Sequence, residues 1–261
     1  MRYHCLHIKT VFAEEWQKDV FDQSLFDLGV DTIDGEKYYI PSDVLKDQLS
    51  NIRSHISNTE GASLLAVDAC EDKNWNATWE AEHPMQELPF GIRIIPHCAF
   101  GAGHHETTSM MIDQLIRFQS YISDHPFRVL DHGTGTGVLA IFAKRLGAKD
   151  VLAIDIDEKS VANAVENAAL NGETIEVCLG SAPPKGDIFD LILANIHRNI
   201  LLANMHAYAT CLAPNGELWL SGFYESDIPV LQNEAEKEGL AVTDVLANGE
   251  WRLMKCRKEE R

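Results

Sequence analysis

The stretch from Arg128 to Asp155, RVLDHGTGTGVLAIFAKRLGAKDVLAID, constrains this chain more than any other. It reads as a buried strand, a glycine turn, a helix and a second buried strand that ends in a carboxylate. Arg128 to Leu130 is short, apolar and β-prone, as a strand covered on both faces should be. Gly133, Gly135 and Gly137 let the backbone turn sharply and approach a ligand closely. Val138, Leu139, Phe142, Ala143 and Leu146 recur at helical spacing, and Gly147 supplies the stop. A loop feeding a helix N-terminus at the carboxyl end of a parallel strand is where nucleotide-like ligands sit. Asp155, closing the second strand, can accept both ribose hydroxyl hydrogens.

Two ligand classes compete for that design. A dinucleotide site uses G-x-G-x-x-G, because its pyrophosphate needs the helix N-terminal amides. Here the spacing is G-x-G-x-G, preceded by Asp131. A carboxylate there repels a pyrophosphate and suits a sulfonium or an amino-acid ammonium. Asp131 and Asp155 flanking the turn favour S-adenosylmethionine over a nicotinamide cofactor or a purely structural turn.

With 261 residues, the chain has room for one large domain, or one domain plus a small one. No run of about 18 apolar residues exists, so no membrane span is expected. The N-terminus carries no long apolar signal region, and the cysteines stand singly without C-x-x-C, which points to buried thiols in a cytoplasmic protein. The charge is lopsided, with 40 acidic against 22 basic residues and a net of −18. Direct grip on a nucleic-acid backbone needs clustered cations that this chain lacks. A basic protein substrate fits, although solubility alone also explains such a charge. A monomer is expected.

From the start of the chain, residues 3–11 read as a strand. Residues 13–28 form a helix marked by Trp16, Val20, Leu25 and Leu28, with Gly29 as its stop. Two short strands flank Asp34-Gly35, a hairpin signal. Leu45, Leu49, Ile52 and Ile56 share one helix face, and Leu64 to Ala69 is a last strand. The order β-α-β-β-α-β is the ferredoxin-like pattern, so residues 1–70 are expected to form a small α+β domain that recognises substrate. Residues 71–83 are polar, with Trp75 and Trp79 spaced i, i+4. They read as a short helical linker pinned by its indoles, or as the edge of one domain's core.

Residues 84–261 are expected to form the larger α/β domain, a doubly wound Rossmann-like sheet. Phe90 to Pro96 reads as a strand. Ala99 to Thr108 runs into a helix marked by Met111, Leu115, Phe118 and Ile122, with Thr107 or Thr108 as its cap. Adjacent His104 and His105 lack metal-ligand spacing, so no metal is expected; a loop covering the cofactor is the better reading. Asp157 caps a helix whose buried stripe is read as Val161, Ala164, Val165 and Ala168. Ile175 to Leu179 is a third strand, with Gly180-Ser181 near an adenine edge. Phe189 to Ile196 is a fourth, apolar until it delivers Asn195 at its carboxyl end. A lone Asn there is usually a turn former; its carbonyl can instead hold an amine in line with a methyl donor. A closing antiparallel pair around Asn248-Gly249 completes the arrangement of class I methyltransferases.

The chain resembles the PrmA-type ribosomal protein L11 methyltransferases from end to end. The resemblance is carried by Asp72-Lys-Asn-Trp, His83-Pro-Met, the segment from Ala99 to Thr108, the turn from Asp131 to Gly137, Ala153-Ile-Asp-Ile-Asp, Ala194-Asn-Ile and Gly249-Glu-Trp. The Phe-Gly-x-Gly-x-His-x-Thr-Thr part is the most discriminating. His132 stands where that family has a smaller or apolar residue. The resemblance implies cofactor contacts at Thr108, Gly133, Asp155 and Asn195, with Phe100 and His105 in the covering loop. It also implies repeated methylation of lysine side-chain amines and an N-terminal α-amine on one ribosomal protein. The alternatives are methylation of another protein or small amine, and, further off, a nicotinamide-dependent oxidoreductase. As proton acceptor, His104, His105 and solvent are all open.

Overall fold

The computed structural model describes residues 3–13, 15–30, 32–70, 85–97, 105–123 and 126–259. The expected linker at 71–83, with Trp75 and Trp79, lies outside the described residues, as do Phe100 and His104. The chain divides into two compact units, Met1–Trp75 and Asn76–Arg261.

In the first unit, β1 (Tyr3–Thr10), α1 (Glu15–Asp27), β2 (Thr32–Asp34), β3 (Lys37–Pro41), α2 (Ser42–Asn58) and β4 (Ala62–Cys70) follow in order. The sheet order is β2-β3-β1-β4 with every pair antiparallel, the ferredoxin-like arrangement. Period-two alternation in β1 and β3 sends Leu6, Ile8, Tyr38 and Ile40 into one core with Leu45, Ile52 and Ile56 of α2. The face of α1 agrees with the sequence reading at Leu25 and Leu28, which lie in or against the core, and differs from it in the first two turns. Trp16 and Val20 are exposed, and the helix buries Phe21 and Leu25. Both i, i+4 pairs are apolar and lie about 140° apart on the helix, so periodicity alone does not choose between them. The edge of Phe21 on Tyr38, with ring centroids 6.2 Å apart, settles the phase.

The second unit opens with a hairpin, β5 (Gln86–Leu88) and β6 (Ile92–Ile94), in place of the expected strand over 90–96. Pro89–Gly91 forms the turn, and Phe90 takes a left-handed conformation there. Beyond Ile94 the backbone pairs with side chains rather than with a strand, which is why β6 is short. Next come α3 (Glu106–Ser123), β7 (Arg128–His132), α4 (Val138–Arg145), β8 (Asp150–Asp155), α5 (Glu158–Leu170) and β9 (Glu176–Leu179). The chain continues with β10 (Phe189–Asn195), α6 (Arg198–Cys211), β11 (Leu212–Tyr224), α7 (Ile228–Lys237), β12 (Leu240–Asn248) and β13 (Trp251–Lys258).

The seven-stranded sheet runs β12-β13-β11-β10-β7-β8-β9. β9, β8, β7, β10 and β11 are parallel; β13 runs antiparallel to β11 and β12. Alternate residues of each strand feed opposite cores. Val129, Leu191, Leu193 and Trp219 pack with α3 and α4, while Leu130, Ile192, Ala194 and Leu220 pack with α6 and α7. Strand order reverses between β7 and β10, and the crevice outside their carboxyl ends is where such sheets bind ligands. Asp157 caps α5 as expected, accepting from the backbone N–H groups of Lys159 and Ser160. Val165 is exposed, however, and the buried face of α5 is Ser160, Asn163, Ala164, Asn167 and Ala168. The four cysteines with described side chains are free thiols; Cys5, Cys211 and Cys256 are buried and Cys178 is half-buried. Among the described residues no helix is long and apolar enough to cross a membrane.

The corrected face of α1 has a direct test. Phe21→Ala should destabilise the first unit by about 3–5 kcal/mol, the usual cost of emptying a buried phenylalanine site. Val20→Ala should cost no more than about 0.5 kcal/mol, as an exposed substitution does. Urea unfolding of both variants checks this, and equal losses would restore the Trp16–Val20 face.

Candidate functional site

At the carboxyl end of β7 the chain makes the glycine turn, and the turn's amides face inward. Gly133 and Thr134 donate their N–H groups to Ile154 O at 2.9 and 3.0 Å. Gly137 N–H goes to Thr134 O at 2.8 Å, and Gly135 N–H to Asp155 Oδ2 at 2.9 Å. A pyrophosphate cradle needs such amides directed at the ligand. Here they fasten the turn to β8 instead, so the geometry does not favour a dinucleotide.

Asp131 sits beneath the turn, 1% exposed. Its Oδ2 accepts from Thr134 Oγ1 at 2.6 Å and from Ala140 N–H at 3.2 Å. Burial pushes its pKa up to about 6; these two bonds pull the other way, and repulsion from Asp155 adds to the rise. At neutral pH the carboxylate is therefore held charged at a cost. Asp155 is half-buried at the end of β8, and each of its oxygens takes one backbone N–H, from Gly135 and from Asp157. Each oxygen keeps a further lone pair to offer. Ile156, the next residue, is 74% exposed, an apolar side chain at the mouth of the crevice.

His132 is buried, with Nδ1 2.6 Å from Tyr208 Oη, and a hydrogen bond to the Ser181 backbone ties the Gly180-Ser181 turn to the end of β7. Burial pushes the imidazole pKa down.

Across the switch point, β10 ends at Asn195, in register with Ser221 of β11. Asn195 Nδ2 donates to Thr108 Oγ1 at 3.3 Å, which joins the strand end to the first turn of α3. Thr107 and Thr108 are buried inside that helix and do not cap it. His105 precedes the helix. Its Nδ1 lies 2.8 Å from Thr107 Oγ1 and accepts from Thr107 N–H at 3.4 Å, so the imidazole takes the capping position. The His105 ring meets Trp251 edge-on at 5.1 Å, and Trp251 stacks on Tyr224 at 4.5 Å. Among the described residues no group of three or more His, Cys, Asp or Glu side chains could hold a metal ion.

Ile196 is wedged between two glycines, its side chain against Gly133 and its backbone against Gly222. A Cβ on Gly133 would collide with Ile196 Cγ2, and one on Gly222 would stand 2.6 Å from Ile196 O. Both glycines have positive φ, at 74° and 89°. Thus Gly133 provides a close approach between two protein segments, in addition to any approach to a ligand.

A family model described as ribosomal protein L11 methyltransferase (PrmA) matches residues 75–259. The chain belongs to this family. It is 38% identical over 265 residues to the ribosomal protein L11 methyltransferase of Porphyromonas gingivalis, covering 91% of this chain and 89% of that protein. Against the Bacteroides fragilis relative it is 41% identical over 235 residues, with 82% and 81% covered. Its fold matches the ribosomal protein L11 methylase of Lactobacillus delbrueckii subsp. bulgaricus with a TM-score of 0.58 and 32% identity, over 69% of this chain and 93% of that one. A methyltransferase from Pyrococcus furiosus, at 18% identity and a TM-score of 0.53, shares the fold. The protein is a methyltransferase enzyme with the class I fold, and family and fold together imply use of S-adenosylmethionine.

Of the residues singled out from the sequence of this L11 methyltransferase family member, the structure links Asp131, Gly133, Gly135 and Asp155 through the glycine turn. It links Asn195 to Thr108 by a hydrogen bond, and His105 to α3 as its cap. Phe100 lies outside the described residues. The sequence reading missed the Tyr224–Trp251 stack, the pairing of Ile196 with Gly222, and the exposed Ile156. Trp251, Ile196 and Ile156 lie within the motifs Gly249-Glu-Trp, Ala194-Asn-Ile and Ala153-Ile-Asp-Ile-Asp, which mark the positions but not their contacts; Tyr224 and Gly222 had no signal.

Two outcomes follow from this geometry. Gly222→Ala forces a Cβ against Ile196 O at a left-handed φ, so it should destabilise the protein by about 1–3 kcal/mol. It should also lower kcat by displacing Asn195, and an unchanged melting curve with full activity would refute the wedge. Asp131 binds its proton more tightly folded than unfolded, so its contribution to stability falls as pH rises from about 4 to about 6 and stays low above. Asp131→Asn removes that dependence. In calorimetric melts the variant should gain on the wild type across this window, by up to about 3 kcal/mol at pH 7.5. A pH-independent difference would show that Asp131 is not the titrating group.

Proposed function

We propose that this protein transfers methyl groups from S-adenosylmethionine to amines of ribosomal protein L11, namely lysine side-chain amines and the N-terminal α-amine. The observation that carries the reading is the neutral Asn195–Thr108 pair at the end of β10, set beside a glycine turn whose amides are already bonded within the protein.

The residues present fit the cofactor. Asp155 has lone pairs for ribose hydroxyls, Ile156 offers an apolar face for a purine, and the Gly180-Ser181 turn borders the same edge. Asp131 favours the positive end of an amino acid, with Gly133 and Gly135 as the backbone of that subsite. When bound, S-adenosylmethionine supplies an electrophilic sulfonium methyl; the protein supplies orientation and exclusion of water. Asn195 donates to Thr108 through Nδ2, which leaves its carbonyl oxygen to accept an N–H from the substrate amine and aim the lone pair. Thr108 fixes which end of the amide does so. His105 and Phe100 belong to the segment that covers the cofactor, with His105 anchored to α3. An amine of reference pKa near 10.4 must shed a proton first, and a neutral amide does not oppose that loss as a carboxylate would.

In this reading residues 1–70 recognise the protein substrate, 71–83 link, and 84–261 carry the chemistry. The net charge of −18 suits a basic ribosomal protein and disfavours direct contact with nucleic acid. The enzyme acts as a cytoplasmic monomer.

The test is tritiated S-adenosylmethionine with purified L11, and in parallel with a panel of small amines. Label in L11 is expected; label confined to the small amines would redirect the assignment. Asn195→Ala should lower single-turnover kcat about ten- to a thousandfold, because a misplacement of about 1 Å can cost a hundredfold. Affinity for S-adenosylhomocysteine should fall less than the rate does. Asn195→Asp keeps the acceptor but favours the protonated amine, so its rate should recover as pH rises. Wild-type rates in Asn195→Ala would make this residue an ordinary turn former.

A further inference from the structure

Three asparagines stand one helical turn apart on or just past α5, at 163, 167 and 171, and each reaches the backbone of β6 or of the residues that follow it. Asn171 donates Nδ2–H to Arg93 O at 2.6 Å and accepts Arg93 N–H at 2.8 Å. Asn167 accepts Ile95 N–H at 2.9 Å and donates to Ile95 O at 3.1 Å. Asn163 donates to Ile95 O at 2.8 Å and accepts His97 N–H at 3.2 Å. Four helical residues rise about 6.0 Å, and two extended residues about 6.7 Å. The amides therefore meet residues 93, 95 and 97 in step, and one helix edge takes the place of a partner strand.

Of the three, Asn167 also reaches the glycine turn. The same Nδ2 donates its second hydrogen to Thr136 O at 2.9 Å. That carbonyl belongs to the peptide unit whose other end, Gly137 N–H, is held by Thr134 O at 2.8 Å. Asn167 is fully buried and Asn163 nearly so, which makes each unmade bond expensive. Behind them, a Cβ on Gly137 would stand 3.1 Å from Ala164 Cα, so α5 is pressed directly against the turn.

We propose that Asn167 is a positioning residue for the cofactor site: its side-chain amide fixes the Thr136–Gly137 peptide and joins the glycine turn to the strap at residues 93–97. Asn163 and Asn171 hold the strap alone. Binding of the cofactor then depends on Asn167 through the orientation of the turn, and catalysis by the bound complex does not. This inference rests on the proposed use of S-adenosylmethionine.

Calorimetric titration of the full chain with S-adenosylhomocysteine, together with rates at saturating S-adenosylmethionine, tests it. The wild type must bind first; if it does not, the cofactor reading fails and this inference with it. Asn167→Ala should weaken binding about five- to thirtyfold, as expected for loss of a buried hydrogen bond and the strain it relieves. KM for S-adenosylmethionine should rise by the same factor with kcat within about twofold. Asn171→Ala and Asn163→Ala should lower the melting temperature and leave the dissociation constant unchanged. Wild-type affinity in a folded Asn167→Ala overturns the proposal. If that variant does not fold, the other two decide. Unchanged affinity supports a role confined to Asn167, and tenfold weaker binding in either shows that the strap, not the Asn167–Thr136 bond, sets the affinity.

Discussion

The second unit is built around a carboxylate that would be more stable elsewhere. Asp131 lies one residue before the end of β7, and its Oδ2 accepts from Thr134 Oγ1 and Ala140 N–H in the turn and the helix that follow. Those bonds draw the turn around the carboxylate and set the start of α4. They do not fully offset the loss of hydration, which is why burial still raises the pKa to about 6. A neutral residue of the same shape would close the turn at lower cost. Retaining an acid there is consistent with a positive group arriving from outside, and it places a negative potential at the end of β7 before any ligand binds.

From that turn the geometry propagates in two directions. Toward β8, Gly135 N–H reaches Asp155, which ties the two acids into one frame and leaves Asp155 facing the crevice. Toward β10, Gly133 lets Ile196 lie against the turn, while Gly222 makes room for its carbonyl on the other side. The two glycines thereby decide where Asn195 emerges. Thr108 then holds the amide from α3. Acids thus cluster on the side of β7 and β8, and uncharged hydrogen-bonding groups on the side of β10.

Much of this was legible in the sequence because it is encoded locally. Parallel strands covered on both faces read as apolar runs, so β7, β8 and β10 stood out, and so did the turn, where glycine answers a requirement of the backbone itself. Asp157 as a cap and the face of α2 were legible for the same reason. What sequence reading lost depends on distant partners. Asn163 and Asn167 look like solvent-facing residues, yet they are buried because residues 93–97 bring backbone groups to them. Val165, which continued the apolar stripe, is exposed in exchange. In α1 two apolar pairs were equally good, and rings from outside the helix, Tyr38 and His55 among them, chose Phe21 over Val20. Thr107 and Thr108 had the chemistry of a cap, but His105 took the position, and the hydroxyls were drawn inward. Ser221 and Gly222 carry no local pattern, and Ile196, although it closes the Ala194-Asn-Ile segment, takes its role only once β10 and β11 lie side by side.

The division of charge at the crevice matters for the chemistry of the proposed reaction. An acidic protein attracts a lysine-bearing substrate, and the same attraction stabilises the ammonium form, which has no lone pair to react. A carboxylate at the point of transfer would deepen that problem by holding the proton in place. The proposed arrangement separates the two effects in space. Net charge acts over the distance of approach, where screening limits it to about 8–10 Å at physiological salt. The final contact falls to Asn195 and Thr108, which orient by hydrogen bonding without favouring either protonation state as a full charge would. Asp131 and Asp155, on the other side of the switch point, are already engaged by backbone amides and a hydroxyl, and the proposed assignment gives them to the cofactor rather than to the amine. Under this assignment the enzyme has no need of a dedicated strong base: it needs an amine that has lost its proton to solvent or an imidazole, and a neutral amide that keeps it aligned once it has.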